Sequence, residues 1–65
     1  MTDVQLHPNF GDRVIRVAGM PYHWDGALAV YCRGYGPYAQ AAMIGDWTIA
    51  PRKQANRLSR EVRRA

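Results

Sequence analysis

The stretch Gly11-Asp12-Arg13-Val14-Ile15-Arg16-Val17, answered by Trp24-Asp25-Gly26-Ala27-Leu28-Ala29-Val30-Tyr31-Cys32, decides the fold. Its first half reads as a strand with a charged start, Val14 pointing inward and Arg13 outward. Ile15 spoils strict alternation, which implies that this strand is partly covered on both faces. Gly19-Met20-Pro21-Tyr22-His23 then reads as a break, and Asp25-Gly26 as a tight turn, because that pair tolerates positive φ. Ala27 to Cys32 follows as a second strand. Arg33-Gly34-Tyr35-Gly36-Pro37 reads as a loop, and Tyr38 to Ile44 as a third strand in which Ala39, Ala41 and Ala42 leave room for a bulky neighbour. Gly45-Asp46 closes a further hairpin, and Trp47-Thr48-Ile49 is a short strand stopped by Pro51, which cannot donate to a ladder. Short strands separated by turn signals at this spacing predict a small antiparallel barrel.

The two ends are read differently. Met1 to Asn9 has no sustained period and contains Pro8, so it is expected to be a loose arm whose Val4 and Leu6 dock on the barrel. Beyond Pro51, the residues Ala55, Leu58, Val62 and Ala65 fall at spacings of a helical stripe. A last strand plus tail is the other option for this stretch. The organisation expected is therefore an arm over 1–9, a barrel over 10–50 and a basic helix or tail over 51–65.

A chain of 65 residues makes one domain, and folding at this size removes only about 60% of the surface of the unfolded chain. Cys32 is the one cysteine, so no disulfide can reinforce the core, and no Cys/His cluster has metal-ligand spacing. Self-association is one way for so small a core to be completed. The lone cysteine, and a start without a basic segment and apolar run, fit a cytoplasmic setting. The net charge of +4 is unevenly spread. Up to Ala50, Asp3, Asp12, Asp25 and Asp46 outweigh Arg13, Arg16 and Arg33. From Pro51 onward, Arg52, Lys53, Arg57, Arg60, Arg63 and Arg64 face only Glu61, a cluster suited to phosphates or to an acidic protein surface.

Gly11-Asp12-Arg13-Val14, Trp24-Asp25-Gly26, Tyr31-Cys32 and Ile49-x-Pro51 together resemble the punctuation of SH3-like barrels. Among these they resemble the plasmid-borne type II dihydrofolate reductases over roughly residues 10–58. The resemblance implies a mainly β, five-stranded SH3-like barrel, and a tetramer around one pore that binds folate and NADPH. Trp47-Thr48-Ile49-Ala50 matches the pore strand, keeping the isoleucine while losing a glutamine amide and a tyrosine. Arg16 stands where a lysine would hold cofactor phosphate. On that reading Arg16, Thr48 and Ile49 contact the NADPH cofactor. The altered strand leaves most of the pore's hydrogen bonds unmatched, at about 1–3 kcal/mol for each buried partner, so a noncatalytic relative without a cofactor is the leading expectation.

The residues themselves offer two binding surfaces. Tyr22, Tyr35, Tyr38 and Trp47 can form an aromatic face for a protein partner or a second copy, whereas Trp24 reads as core. The cluster of Arg52, Lys53, Arg57, Arg60, Arg63 and Arg64 suits nonspecific nucleic acid or an acidic partner. His23 reads as a loop histidine and Cys32 as a small buried hydrophobe. No catalytic constellation is present in the sequence. The reading that follows is a noncatalytic SH3-like binding module, of the kind a phage or other mobile element encodes, with the reductase as its alternative.

Overall fold

A computed structural model describes residues 3–62. In chain order these form β1 (Val4–His7), β2 (Gly11–Val17), β3 (Met20–Asp25), β4 (Val30–Arg33), a 3₁₀ segment (Gly36–Met43), β5 (Thr48–Ile49) and α1 (Arg52–Val62). The five strands make one antiparallel sheet in the order β4-β3-β2-β1-β5. This is a four-strand meander whose fifth strand returns beside the first after a 3₁₀ segment. It is the mainly β, SH3-like arrangement expected from the sequence, carrying a C-terminal helix, with the ladder left open between β4 and β5.

Several boundaries differ from the sequence reading, each for a local reason. Residues 4–7 are not a loose arm: β1 lies between β2 and β5, with Val4 opposite Val17 and Leu6 opposite both Ile15 and Thr48. Alternation over four residues is too short to register as a period, yet it places Val4 in the core at 0% exposure. Gly19 to His23 is not a break. Ala18 and Gly19, at φ 52° and 82°, make the two-residue mirror-image turn that matches strand twist, so Val17 pairs directly with Met20. Pro21 is tolerated within β3, where its carbonyl accepts from the Gly34 N–H at 2.9 Å.

The turn at Asp25 is where it was expected, but not by the expected means: the positive φ falls at Ala29, at 54°, and not at Asp25 or Gly26. The Asp25 carboxylate accepts from the Ala27 and Leu28 amides at 3.0 and 3.2 Å, so the chain does not re-enter the sheet until Val30. Tyr38 to Ile44 is not a strand either. Pro37 sits in the first turn of the 3₁₀ segment, and alanines favour helical over extended backbone.

Of the two options for the C-terminal stretch, the helix is realised. Pro51 stands just outside it and its carbonyl accepts from the Ala55 N–H at 2.8 Å. Ala55 and Leu58 are buried, and Val62 packs beside them. Ala65, the fourth member of the predicted stripe, lies outside the described residues.

The helix packs against β1 and β4, across one face of the sheet. The core there joins Val4, Ile15, Tyr31, Ala50, Ala55 and Leu58, with Leu6, Val17, Tyr22 and Trp24 packed around them. The opposite face bears Val14, Arg16 and His23, alternating with those core residues along the ladder. There the 3₁₀ segment closes over the sheet and His7 takes the place of an aliphatic residue.

Candidate functional site

The second face is held by a buried histidine. His7 is 1% exposed, and its Nδ1 accepts from the Asn9 and Phe10 amides at 3.1 and 3.3 Å. The proton therefore sits on Nε2, which donates to the Ala41 carbonyl at 3.2 Å. One side chain thus joins the β1–β2 turn to the 3₁₀ segment. Around it, Phe10 lies 5.0 Å away, ring centre to ring centre, and Trp47 meets it edge-on at 4.8 Å. Tyr38 packs on Phe10 and Tyr35 beside Trp47. The Arg16 guanidinium lies over the Trp47 ring at 4.0 Å, while the indole N–H donates to the Ile44 carbonyl at 3.0 Å.

The structure therefore brings together three of the four predicted aromatic residues, Trp47, Tyr35 and Tyr38, and adds His7, Phe10 and Arg16. These rings pack on one another, His7 buried and Phe10, Tyr35, Tyr38 and Trp47 each half-buried. Tyr22 is not with them. It lies opposite Ile15 in the ladder, packed against the core on the helix side. Of the three residues assigned to a cofactor by resemblance, Arg16 and Ile49 share one face, both being register partners of Gln5. Thr48 points to the other face, paired with Leu6. His23 is not in a loop: it is half-buried in β3, its Nδ1 at 3.0 Å from the Gly34 carbonyl. Cys32 lies opposite it on β4, half-buried rather than fully so.

On α1 the exposed residues Arg52, Lys53, Asn56, Arg57 and Arg60 fall on one side, within an arc of about 140° at 3.6 residues per turn. Ala55, Leu58 and Val62 occupy the arc turned to the sheet. The basic cluster is thus a strip along a docked helix, not a loose tail. Arg63 and Arg64 lie outside the described residues. The strip contains no apolar side chain.

Beside this strip is a cleft of about 370 Å³ that the sequence reading missed, lined by Asp12, Arg13, Trp24, Tyr31, Arg57 and Glu61. Tyr31 forms its floor at 2% exposure, and its hydroxyl donates to the Asp12 carbonyl at 2.6 Å. Trp24 meets the Tyr31 ring edge-on at 4.9 Å. Burial first, and then the Asp12 and Glu61 charges, push the Tyr31 phenol well above its ordinary range, with Arg57 opposing. The Arg57 guanidinium reaches the Asp12 carboxylate at 4.0 Å, both groups largely exposed. Because the lining comes from four separate elements, no local motif announces it.

Among the described residues, no group of three or more His, Cys, Asp and Glu side chains is placed to hold a metal ion. No helix among them is long and apolar enough to cross a membrane. No protein-family model, curated protein or solved structure matches the chain.

Proposed function

We propose that this protein is a noncatalytic binding module that docks on nucleic acid through the outward strip of α1. The observation that carries the proposal is the composition of that strip: cations and one amide, on a helix whose opposite side is anchored in the core. Phosphate oxygens are contacted by Arg, Lys and Asn side chains. A protein interface of comparable strength would present aromatic or aliphatic anchors at its centre, and the strip itself has none: Phe10, Tyr35, Tyr38 and Trp47 pack among themselves on the other side of the sheet, and Trp24 lines the cleft beside the strip. Phosphate contacts carry no sequence information by themselves, so the strip's affinity is general and salt-dependent.

The test is binding of a labelled single strand and a labelled duplex by fluorescence anisotropy across a salt series. Lys53→Glu combined with Arg60→Glu, both far from the core, is expected to weaken binding by more than ~10-fold and to flatten the salt dependence. Unchanged affinity would reject the strip as the binding surface. Failure to bind either probe at low salt would favour an acidic protein surface as the partner instead.

A second reading draws on one observation, the placement of Arg16 and Ile49 on a single sheet face with Ile49 67% exposed. In an assembly of copies around an axis, that face would offer a cation and an apolar contact to NADPH. Protein-dependent oxidation of NADPH by dihydrofolate, followed by absorbance, would establish it over the first reading.

A further inference from the structure

The cleft between the sheet and α1 shares Arg57 with the basic strip, so a strand following the strip passes its mouth. Its lining is amphoteric. Arg13 and Arg57 are exposed and can meet an anion. Trp24 is half-buried and lines the cleft with its indole, a ring type on which any base can stack. Glu61 is the less exposed of the two carboxylates, and Asp12 is already approached by Arg57. The Tyr31 hydroxyl, committed to the Asp12 carbonyl, is wall and not ligand. A nucleotide has the matching parts: an anionic phosphate, a π-face and, on some bases, hydrogen-bond donors. The volume stands at the small end of ligand sites, which run from about 300 Å³ upward, so it suits one unit of a chain and not a longer segment.

We propose that this cleft receives a single unstacked base from a strand lying along α1, and that it prefers guanine. The proposal rests on the nucleic-acid reading above and deepens it to single-stranded nucleic acid. Guanine offers two parallel N–H donors on its Watson–Crick edge, which a carboxylate accepts in fork geometry. Thymine offers one N–H flanked by two carbonyls that repel a carboxylate. Glu61 is the acceptor in this arrangement, Trp24 the stacking surface, and Arg13 and Arg57 the phosphate contacts.

The experiment compares a fluorescein-labelled thymine-only single strand, the same strand with one central guanine, and the guanine strand annealed into duplex. The guanine-bearing single strand is expected to bind about 5-fold or more tightly than the thymine-only strand, and annealing is expected to remove that preference. Glu61→Gln should weaken the guanine strand while leaving the thymine-only strand as tightly bound or tighter, because it removes a negative charge. A general change of charge cannot produce that split. Equal affinity for the two single strands, or a guanine preference that survives Glu61→Gln, would overturn this inference and leave the strip in place. Absence of binding to any strand would overturn both.

Discussion

Trp24 and Trp47 lie on opposite sides of one sheet, and their surroundings are built on different physics. Trp24 packs against an aliphatic core that α1 completes with Ala55, Leu58 and Val62. Trp47 packs against His7, Arg16 and Tyr35, in a cluster held by hydrogen bonds and ring geometry. The first arrangement is stabilised chiefly by area removed from water, about 25 cal/mol per Å² of apolar surface, a nondirectional term. The second is directional, since His7 must keep one tautomer and one orientation to serve both the β1–β2 turn and the 3₁₀ segment. The difference explains where binding chemistry can sit. A helix glued by its inner stripe turns its basic side outward, whereas on the aromatic side His7 and the Trp47 indole N–H are committed to backbone groups of their own closure.

That contrast can be broken most severely at Leu58, which is 0% exposed. Leu58→Ala is expected to cost about 2–5 kcal/mol, enough to unfold so small a domain, and urea denaturation followed by circular dichroism measures it. A loss below 1 kcal/mol would mean that α1 is an appendage. Next comes His7→Ala, which leaves the Ala41 carbonyl and the Asn9 and Phe10 amides without their partner; a cost of about 1–3 kcal/mol is expected by the same assay. An unaffected midpoint there would show that water replaces the imidazole without penalty.

Tyr31 gives a pH-dependent version of the same test on the helix side. Its folded-state pKa is raised above the ordinary value near ~10, so the folded protein holds the phenolic proton more tightly than the unfolded chain. The associated stability is present in full below pH ~10 and declines as the pH rises beyond it. Tyr31→Phe should lose about 1 kcal/mol at neutral pH with the Asp12 hydrogen bond, and should lack this alkaline decline in thermal melts. The smallest effect belongs to Arg16→Gln. Removing the cation over Trp47 is expected to cost about 0.5–1 kcal/mol, visible as a small drop in melting temperature together with a change in Trp47 emission.

The sequence made the helix side legible, and the aromatic side much less so. The spacing of Ala55, Leu58 and Val62 offers the helical face as one of two options, because a helical period survives over three turns, and the structure realises it. Asp25-Gly26 fixes a turn because its mechanism is local, a carboxylate capping the next amides. By contrast, β1 spans four residues and shows no period of its own; its place in the sheet is decided by partners far along the chain. The hairpin at Ala18-Gly19 carries alanine where Asn or Asp would have signalled it. Pro37 before an alanine-rich run was the available sign of the 3₁₀ segment. His7 and the cleft around Tyr31 could not be read at all, because each depends on residues brought together only by tertiary structure.

The two tryptophans also supply the decisive measurement, since each reports on one side of the sheet through its own indole N–H. In a two-dimensional amide NMR titration with a short guanine-containing single strand, the account predicts shifts at Lys53, Arg57, Arg60, Glu61 and the Trp24 indole, with the Trp47 indole and the amides around His7 unmoved. Shifts centred on Trp47, Tyr35 and Tyr38, with α1 silent, would contradict it.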